Sequence, residues 1–411
     1  MTDLTTSLLQ YFQKQFQSSN ALSRIATDTR QVTSREILQQ PWTWRQTTQL
    51  MVDQAEQLRK LIDAPAKPSL ILAGAGTSDY IGKSVQDFLR RALKRHVDAR
   101  PTTDIVLRPD EIFGENSDAV LVSFARSGNS PESVESVRIA QEYYPHIKHL
   151  VITCNREGKL ARFARSQPEL AHLVVLPEAT NDQGLAMTSS YSSMVVAALC
   201  LAHLTQTKSF EAYAEIMGKL AEAAERLLAN CPDLLQQIAD EKFDRAFYIG
   251  DGTLEGAAIE SALKMQELTV GKTITRSETF LAFRHGPISA VTDRSLIIYY
   301  LSAEPHRRLY ETDLIRQLRG SATTLLVCNQ CPDTLYDCVD HVIEFDPRGE
   351  FSISDSYAAP LYVIIGQLLG FFSSLAFGLQ PDNPPGTSGS YSRVVQGVTI
   401  HEYGQKLGGR N

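Results

Sequence analysis

Residues 69–80 read SLILAGAGTSDY, an apolar run that ends in small and hydroxyl-bearing residues. The apolar part is typical of a short buried strand, and the change after Gly76 predicts a tight turn into a helix. A similar stretch, AFYIGDGTLE, occupies residues 246–255. An amphipathic pattern follows each stretch, over residues 80–94 and 254–268, so each stretch predicts a strand–turn–helix unit.

The matches continue along the chain in the same order. Second apolar strands are predicted at residues 119–124 and 295–300, and both third strands end in Cys-Asn, at 154–155 and 328–329. The number of residues between Gly76 and Ser127 equals that between Gly252 and Ala303. We therefore predict an internal repeat, with each copy an α/β unit. Strand–turn–helix units of this kind form doubly wound parallel sheets, which bind ligands at the carboxyl ends of their strands.

This organisation divides the 411 residues into five parts. We predict a helical extension over residues 1–50, a first α/β domain over 51–214, a helical connector over 215–242, a second α/β domain over 243–380 and a tail over 381–411. The predicted fold is two tandem doubly wound parallel-sheet domains, each of three αβα layers, with an N-terminal helical extension.

Composition and charge exclude several classes of protein. A net charge of -7 argues against nucleic acid and against an anionic membrane surface as partners. Residues 1–17 lack the basic and apolar regions of a signal peptide. Two uncharged stretches, 184–207 and 356–381, are long enough to span a bilayer. Both contain polar residues and each closes one copy, so we predict buried core helices, a cytoplasmic location and reduced cysteines.

One loop carries the features of a phosphate site. Residues 123–133 read SFARSGNSPES, with Ser130 at a predicted helix N-cap and Pro131 at the first helical position. Free backbone N–H groups and the positive end of the helix then point at one spot, where Ser127 and Ser130 add hydroxyl groups. Taken alone, the loop fits a plain capped helix without a ligand equally well.

Two more predicted helices begin with hydroxyl residues, and these favour a ligand. They start at Gly76, Thr77 and Ser78 and at Thr188 and Ser189. We therefore predict that all three helix starts converge on one phosphate. The second copy reads LSAEPH at residues 301–306 and lacks the pattern, so one site per chain is expected. A dinucleotide site is disfavoured because Asp79 stands where its third glycine is required.

Three charged residues of the second copy are candidates for catalysis. Glu260, Lys264 and Glu267 are spaced so that they share one face of a predicted helix. A solvated ladder of charges is the more common outcome of such spacing. The phosphate loops favour the catalytic interpretation. His285, in the sequence RHGP at 284–287, would by itself be interpreted as structural.

These segments together resemble the sugar isomerase (SIS) family, and in particular the isomerase half of glucosamine-6-phosphate synthase. The similar segments are EILQQP at 36–41, GTS at 76–78, SGNS at 127–130, ESALKMQE at 260–267 and RHGP at 284–287. The resemblance implies that Glu267 is the proton-shuttling base, supported by Glu260 and Lys264. It also implies that His285 opens the sugar ring and reaches in from a neighbouring subunit.

Two departures from the synthase refine this expectation. Residues 1–50 contain no cysteine, so we expect that glutamine cannot supply ammonia. The synthase has a lysine near its C-terminus where this chain has VVQGVT at 394–399. The sequence RVVQGVTI at 393–400 most resembles the galactosamine-6-phosphate deaminase/isomerase group, also labelled tagatose-6-phosphate ketose/aldose isomerases. Arg126 and Gln396 are added to the expected substrate-binding residues.

The resulting hypothesis is a deaminating aldose–ketose isomerase. It would convert an amino-hexose 6-phosphate, D-galactosamine 6-phosphate above all, to tagatose 6-phosphate and ammonia, in a homodimer or larger assembly with shared active sites. Alternatives are an isomerase that releases no nitrogen and a sugar-phosphate sensor without turnover. We expect no cofactor and no metal. Cys328, Cys331, Cys338 and His341 could form a zinc-like set, but buried thiols are the preferred interpretation.

Overall fold

The computed structural model describes residues 32–62, 68–114, 118–204, 209–386 and 397–404. Three helices precede the first sheet: α1 (Val32–Leu38), α2 (Gln40–Asp53) and α3 (Ala55–Ile62). The described part of the predicted N-terminal extension is thus helical, and residues 1–31 of that prediction lie outside the described residues. Pro41 lies in the first turn of α2, where its missing N–H group costs no hydrogen bond.

The first sheet is parallel and has five strands in the order β2-β1-β3-β4-β5. Strands and helices alternate along this part of the chain. They are β1 (Ser69–Gly74), α4 (Thr77–Leu93), β2 (Val97–Pro101), α5 (Thr102–Leu107), α6 (Pro109–Phe113), β3 (Ala119–Ala125), α7 (Pro131–Tyr143), β4 (Lys148–Thr153), α8 (Lys159–Ser166), β5 (Ala171–Val175) and α9 (Ser189–Cys200). Short 3₁₀ turns, Glu178–Thr180 and Leu201–His203, flank α9.

The second sheet repeats this arrangement with the order β7-β6-β8-β9-β10. Two helices lead into it, α10 (Ser209–Asn230) and α11 (Pro232–Asp240). The elements that follow are β6 (Arg245–Gly250), α12 (Thr253–Thr269), β7 (Ile274–Glu278), α13 (Phe280–Phe283), β8 (Ser295–Tyr300), α14 (Pro305–Gln317), β9 (Thr323–Cys328), β10 (His341–Glu344) and α15 (Asp355–Ala376), with 3₁₀ turns at Pro287–Ala290 and Asp333–Cys338. Two tandem doubly wound domains are confirmed.

Alternate side chains of each strand point to opposite faces of its sheet, and the two faces belong to different hydrophobic cores. Leu70 and Leu72 of β1 face a large core that also contains residues of the second sheet, whereas Ile71 and Ala73 face a separate outer core. Strands covered on both faces read as continuous apolar runs, which is why the sequence predicted them readily. The shared inner core joins the two domains, and helices cover the outer face of each sheet.

The two uncharged stretches form α9 and α15, and both are core helices as predicted. All residues of α9 are buried, as is almost all of α15. Among the described residues, only α15 is long and apolar enough to cross a membrane. It packs against α12, where a β-carbon added at Gly366 would lie 2.3 Å from the Ser261 side chain.

Helix α12 is wedged between α4 and α15 by close backbone approaches. A β-carbon at Gly256 of α12 would lie 2.3 Å from the Ser84 hydroxyl of α4. On the other side, a β-carbon at Gly370 of α15 would lie 3.1 Å from the Lys264 carbonyl oxygen. The absence of side chains lets these helices approach. This packing carries the charged face of α12, in the second domain, to the end of β1 in the first.

Candidate active site

A cavity of about 610 Å³ opens at the carboxyl ends of β1 and β3. These two strands lie side by side in the sheet. From β1 the chain continues to β2 on one side, and from β3 it continues to β4 on the other, so the strand order reverses direction between β1 and β3. Doubly wound sheets bind ligands at such a switch point. Seven of the predicted site residues line the cavity: Gly76, Thr77, Ser78, Arg126, Ser127, Ser130 and Glu267.

The loop after β3 presents its donors to the cavity. Ser130 is the N-cap of α7 and has extended backbone angles, but its hydroxyl donates to Ser133 at 2.6 Å and does not cap the helix. The Ser127 hydroxyl oxygen accepts from the Asn129 N–H at 3.3 Å. No side chain in the described part of the chain accepts from the N–H groups of Glu132 and Ser133. The positive end of α7 is therefore open to an anion.

Opposite this loop, Lys264 holds three oxygen atoms around its ammonium group. Its Nζ lies 2.6 Å from Glu267 Oε2, 3.0 Å from Thr77 Oγ1 and 3.3 Å from Glu260 Oε1. Thr77 in turn donates to Glu260 at 3.3 Å. Lys264 and Glu260 are fully buried, whereas the Glu267 side chain keeps 33% of its exposure. The three charged residues form a buried cluster and not a solvated ladder.

Burial and neighbouring charges set the protonation of this cluster. Burial, opposed by Lys264 and aided by the carboxylate of Glu267, raises the pKa of Glu260 to about 8. Burial lowers the pKa of Lys264, but the carboxylates of Glu260 and Glu267 outweigh it and raise that pKa overall. Lys264 therefore stays charged and fixes Glu267 through Oε2. No described residue forms a hydrogen bond to Glu267 Oε1, which is left for a ligand in the cavity.

Tyr80 belongs to the site although the sequence analysis did not select it. It lines the cavity, and burial together with the nearby Glu260 raises the pKa of its phenol, which keeps the hydroxyl protonated. It lies three residues after Thr77 on α4, so the two share one helix face, and that spacing is the signal that could have found it. The apolar wall, which includes Leu185, Met187 and Leu263, gave no such signal.

For Thr188 and Ser189 the structure corrects the prediction. Both are fully buried, and the cavity wall contains the preceding residue, Met187, and not these two. The Asp182 carboxylate accepts from the N–H groups of Thr188 and Ser190, at 2.8 and 2.9 Å, and from the hydroxyl of Ser189 at 2.5 Å. This helix start thus has an anion from its own chain, which takes up two backbone N–H groups and the Ser189 hydroxyl.

Two other predicted residues are not brought into the cavity. His285 is exposed on the turn after α13, where its N–H donates to the Ala282 carbonyl at 2.9 Å, and it does not line its own chain's cavity. Gln396 lies outside the described residues. As for the zinc-like set, Cys328 and Cys331 are buried at the end of β9. Within the described ranges, no three potential ligands cluster as a metal site would require.

Comparisons with known proteins show which family the chain belongs to. The SIS domain family model matches residues 64–204. AgaS of Streptomyces coelicolor is 38% identical over 374 residues, which cover 90% of this chain and 95% of that protein. The D-galactosamine-6-phosphate deaminase AgaS of Shewanella sp. strain ANA-3 is 32% identical over 376 residues, 90% of this chain and 92% of that one. The chain belongs to the AgaS family of SIS-domain proteins.

A solved structure supports membership of the AgaS family at the level of the fold. The crystal structure of tagatose-6-phosphate ketose/aldose isomerase from Escherichia coli superposes with a TM-score of 0.82 at 31% identity. The match covers 92% of this chain and 98% of that one. The resemblance to the SIS family that the sequence motifs predicted is therefore confirmed over nearly the whole chain.

Proposed function

We propose that this AgaS-family protein is a deaminating aldose–ketose isomerase that converts D-galactosamine 6-phosphate and water to tagatose 6-phosphate and ammonia. One observation carries the proposal. The carboxylate of Glu267, which the buried Lys264 holds in place, lines the same cavity as an open, hydroxyl-rich helix N-terminus. The names of the AgaS relatives supply the amino sugar, and the cavity supplies a place for its phosphate and for a base.

The phosphate is held by the loops after β1 and β3. Ser127 can donate its hydroxyl hydrogen, Ser130 gives its own to Ser133, and the open N–H groups of α7 add donors that need no positive side chain. Thr77 is unavailable, because its hydroxyl already bridges Lys264 and Glu260, so Ser78 completes this side of the cavity. This set explains how a protein of net charge -7 attracts an anion.

The chemistry needs one proton to move between two adjacent carbons. In the open-chain sugar, Glu267 removes the proton from C2, which gives an enolamine, and returns it to C1. Nitrogen then remains on C2 as an imine, and water adds to that carbon and expels ammonia to leave the ketone. Lys264 holds Oε2 of Glu267 at 2.6 Å, so the carboxylate is oriented before the substrate arrives.

The ring-opening residue comes from a second copy of the chain. His285 is exposed and stands outside its own cavity, and exposed apolar residues lie near it in the sequence, including Ile274 (67% exposed) and Leu281 (46% exposed). A two-fold pairing through this face would cover them and bring each His285 to the partner's cavity. The proposed assembly is a homodimer in which each active site is shared.

An ammonia assay tests the activity. The purified protein is incubated with galactosamine 6-phosphate, glucosamine 6-phosphate and galactose 6-phosphate, and free ammonia and ketose phosphate are measured. We expect ammonia and tagatose 6-phosphate from the first sugar. Glu267→Gln should reduce turnover by about 10²–10⁴ while leaving the affinity for the sugar phosphate nearly intact. Ketose formed from galactose 6-phosphate, with no ammonia from either amino sugar, would favour the isomerase alternative, and no turnover at all would favour the sensor.

A mixing experiment tests the shared site. Glu267→Gln and His285→Ala chains, each inactive alone, are mixed under conditions that exchange subunits. A hybrid dimer with shared sites has one site with both lesions and one with neither, so part of the activity should return. If mixed chains stay inactive although exchange is verified, His285 does not serve the partner's site.

A further inference from the structure

Residues 181–187, called here the wall loop, form part of the cavity wall and contact Arg126 of the proposed phosphate-binding loop. Leu185 and Met187 line the cavity. The carbonyl oxygens of Gly184 and Leu185 accept from Arg126 Nη1, at 3.4 and 3.3 Å. Arg126 lines the cavity immediately before Ser127. The wall loop therefore helps to hold the guanidinium of Arg126 next to the phosphate loop.

A carboxylate from the N-terminal helices holds the wall loop by its backbone. Glu36 of α1 is buried, with only 4% of its surface exposed. Its Oε1 accepts from the N–H groups of Gln183 at 2.5 Å and Gly184 at 3.3 Å, and its Oε2 lies 3.3 Å from the same Gly184 nitrogen. Two consecutive backbone donors are thus fixed by one side chain that comes from far away in the sequence.

Helix α1 and the wall loop are closely packed against each other. A β-carbon at Gly184 would lie 2.7 Å from Thr33 Oγ1 and 3.0 Å from Glu36 Oε2. Helix α1 is itself anchored by Asp382, whose carboxylate accepts from the N–H groups of Val32 and Thr33, at 2.9 and 2.7 Å. Movement of α1 would therefore be transmitted to the wall loop directly.

Burial of Glu36 is costly, which argues that the carboxylate is kept for a purpose. Burial and the nearby Asp182 raise the pKa of Glu36 to about 8. Asp382 raises it further, and no lysine or arginine in the described part of the chain forms an ion pair with it. With a pKa of about 8 the side chain holds a proton at neutral pH, and burial of this polar group still costs free energy unless its oxygen atoms are hydrogen-bonded. The hydrogen bonds that Glu36 accepts from the wall loop offset part of this cost.

We infer that Glu36 is a positioning residue for substrate binding: it sets the wall loop and, through it, the guanidinium of Arg126 beside the phosphate. The inference rests on the proposed function, because it assumes that this cavity binds a sugar phosphate. It also accounts for the EILQQP motif at 36–41. Gln39 donates to the Ala179 carbonyl at 2.7 Å and to Ser189 at 3.0 Å, so it anchors the chain on both sides of the same loop.

The test separates binding from turnover. Glu36→Gln keeps the shape of the side chain but replaces one acceptor oxygen with a donor. We expect KM for galactosamine 6-phosphate to rise by roughly tenfold with kcat changed less than about threefold, since Glu267 and Lys264 are untouched. Binding of inorganic phosphate, measured by calorimetry without turnover, should weaken by a similar factor.

Thr43→Val is the matched control. Thr43 is buried in the same group of helices, donates to the Gln40 carbonyl at 2.9 Å and accepts from Ser193 at 3.1 Å, so its hydroxyl bonds to neither residues 181–187 nor Glu36. This variant should lower the melting temperature and leave KM unchanged. If Glu36→Gln behaves in the same way, Glu36 is merely structural and the inference is wrong.

A second variant guards against loss of folding. In Gly184→Ala the added methyl group lies on the wall loop and would push against Thr33 and Glu36 of α1. This variant should also raise KM and weaken phosphate binding. A folded Gly184→Ala protein with unchanged KM and phosphate affinity would overturn the inference while leaving the proposed activity intact. Failure of the wild-type protein to bind phosphate or release ammonia would overturn the proposed function, and the inference with it.

Discussion

The loops that follow β3 and β8 hold equivalent places in two sheets of the same strand order, yet they end differently. After β3, Ser130 stands at the N-cap of α7 and leaves the helix end open. After β8, Glu304 stands at the N-cap of α14 and accepts from the N–H groups of His306 and Arg307, at 3.1 and 3.0 Å. A proline follows at the first helical position in both. One loop can receive an anion, whereas the other already has one.

Two further acidic side chains close the second loop. Asp355 accepts from the N–H of Ala303 at 2.8 Å and from the Ser302 hydroxyl, and Glu311 accepts from the N–H of Ser302 at 2.9 Å. Arg307 lies against the turn after β6, with Nη1 3.0 Å from a β-carbon built at Gly252. The second site is thus filled by side chains of the chain itself. A doubly wound frame supplies the anion-binding geometry, and a few carboxylates decide whether that geometry stays available.

The turns after β1 and β6 show how closely the two frames agree. Gly76 has φ 57° and ψ −127°, and Gly252 has φ 61° and ψ −123°. Both residues adopt positive φ, which glycine tolerates at low cost. Because the backbone is nearly the same, the difference between the two copies lies in side chains and can be transferred by substitution.

The largest effect should come from closing the open loop. Ser130→Glu places at the N-cap of α7 the residue that caps α14, so its carboxylate should occupy the helix end and repel the phosphate. We expect kcat/KM to fall by roughly 100-fold or more, because like charges in a binding site cost several kcal/mol. Steady-state kinetics measure this change. Ser130→Ala, which removes only a hydroxyl, is the control and should lose less than about tenfold. Equal losses in the two variants would mean that the open helix end does not bind the phosphate.

A smaller effect, on stability alone, is expected from loosening the closed loop. Asp355→Asn removes the charge that accepts from Ala303 and Ser302 and that lies 3.6 Å from the Arg307 guanidinium. The free energy of unfolding, measured by urea denaturation, should fall by about 1–3 kcal/mol. KM for the sugar phosphate should not change, since this loop takes no part in binding. A raised KM in a fully folded variant would show that the two loops are coupled.

The most gradual effect, and the smallest over any single pH unit, is a pH dependence that originates in the second copy. Burial raises the pKa of Glu311 from an ordinary 4.5 to about 8. The folded protein therefore holds a proton that the unfolded chain releases between these values, so stability is greatest below pH 4.5 for this group and is lost as pH rises toward 8. The slope is at most about 1.4 kcal/mol per pH unit. The stability of Glu311→Gln should fall less steeply over that range, and parallel curves for variant and wild type would contradict the account.

The fold was predictable because its central strands are covered on both faces. Runs such as SLILAG at β1 and RAFYIG at β6 are buried along almost their whole length, so their apolar sequence identifies them. The edge strand β2, with the sequence VDARP, is only partly buried and has no such signature. Its presence follows from the β1–β2 pairing, which depends on contacts between segments that the local sequence does not encode.

The candidate site was predictable where a local motif makes it. Ser130 and Pro131 describe a helix start by themselves, and the spacing of Glu260, Lys264 and Glu267 places them on one face. Thr188 and Ser189 have equally good local chemistry, but Asp182 folds back and takes their donors. That contact depends on the path of the wall loop, which no pattern specifies. For the same reason the sequence could not show that Glu36 reaches this loop.

The central claim is that each chain has one open phosphate site, served by Glu267, and one that is closed by its own carboxylates. Calorimetric titration of the slow Glu267→Gln variant with galactosamine 6-phosphate tests this claim most directly, because the sugar can bind without being consumed. The account predicts one sugar phosphate bound per chain, abolished when Ser130→Glu is added and unaffected when Asp355→Asn is added instead. Two sites per chain, or binding that survives Ser130→Glu, would contradict it.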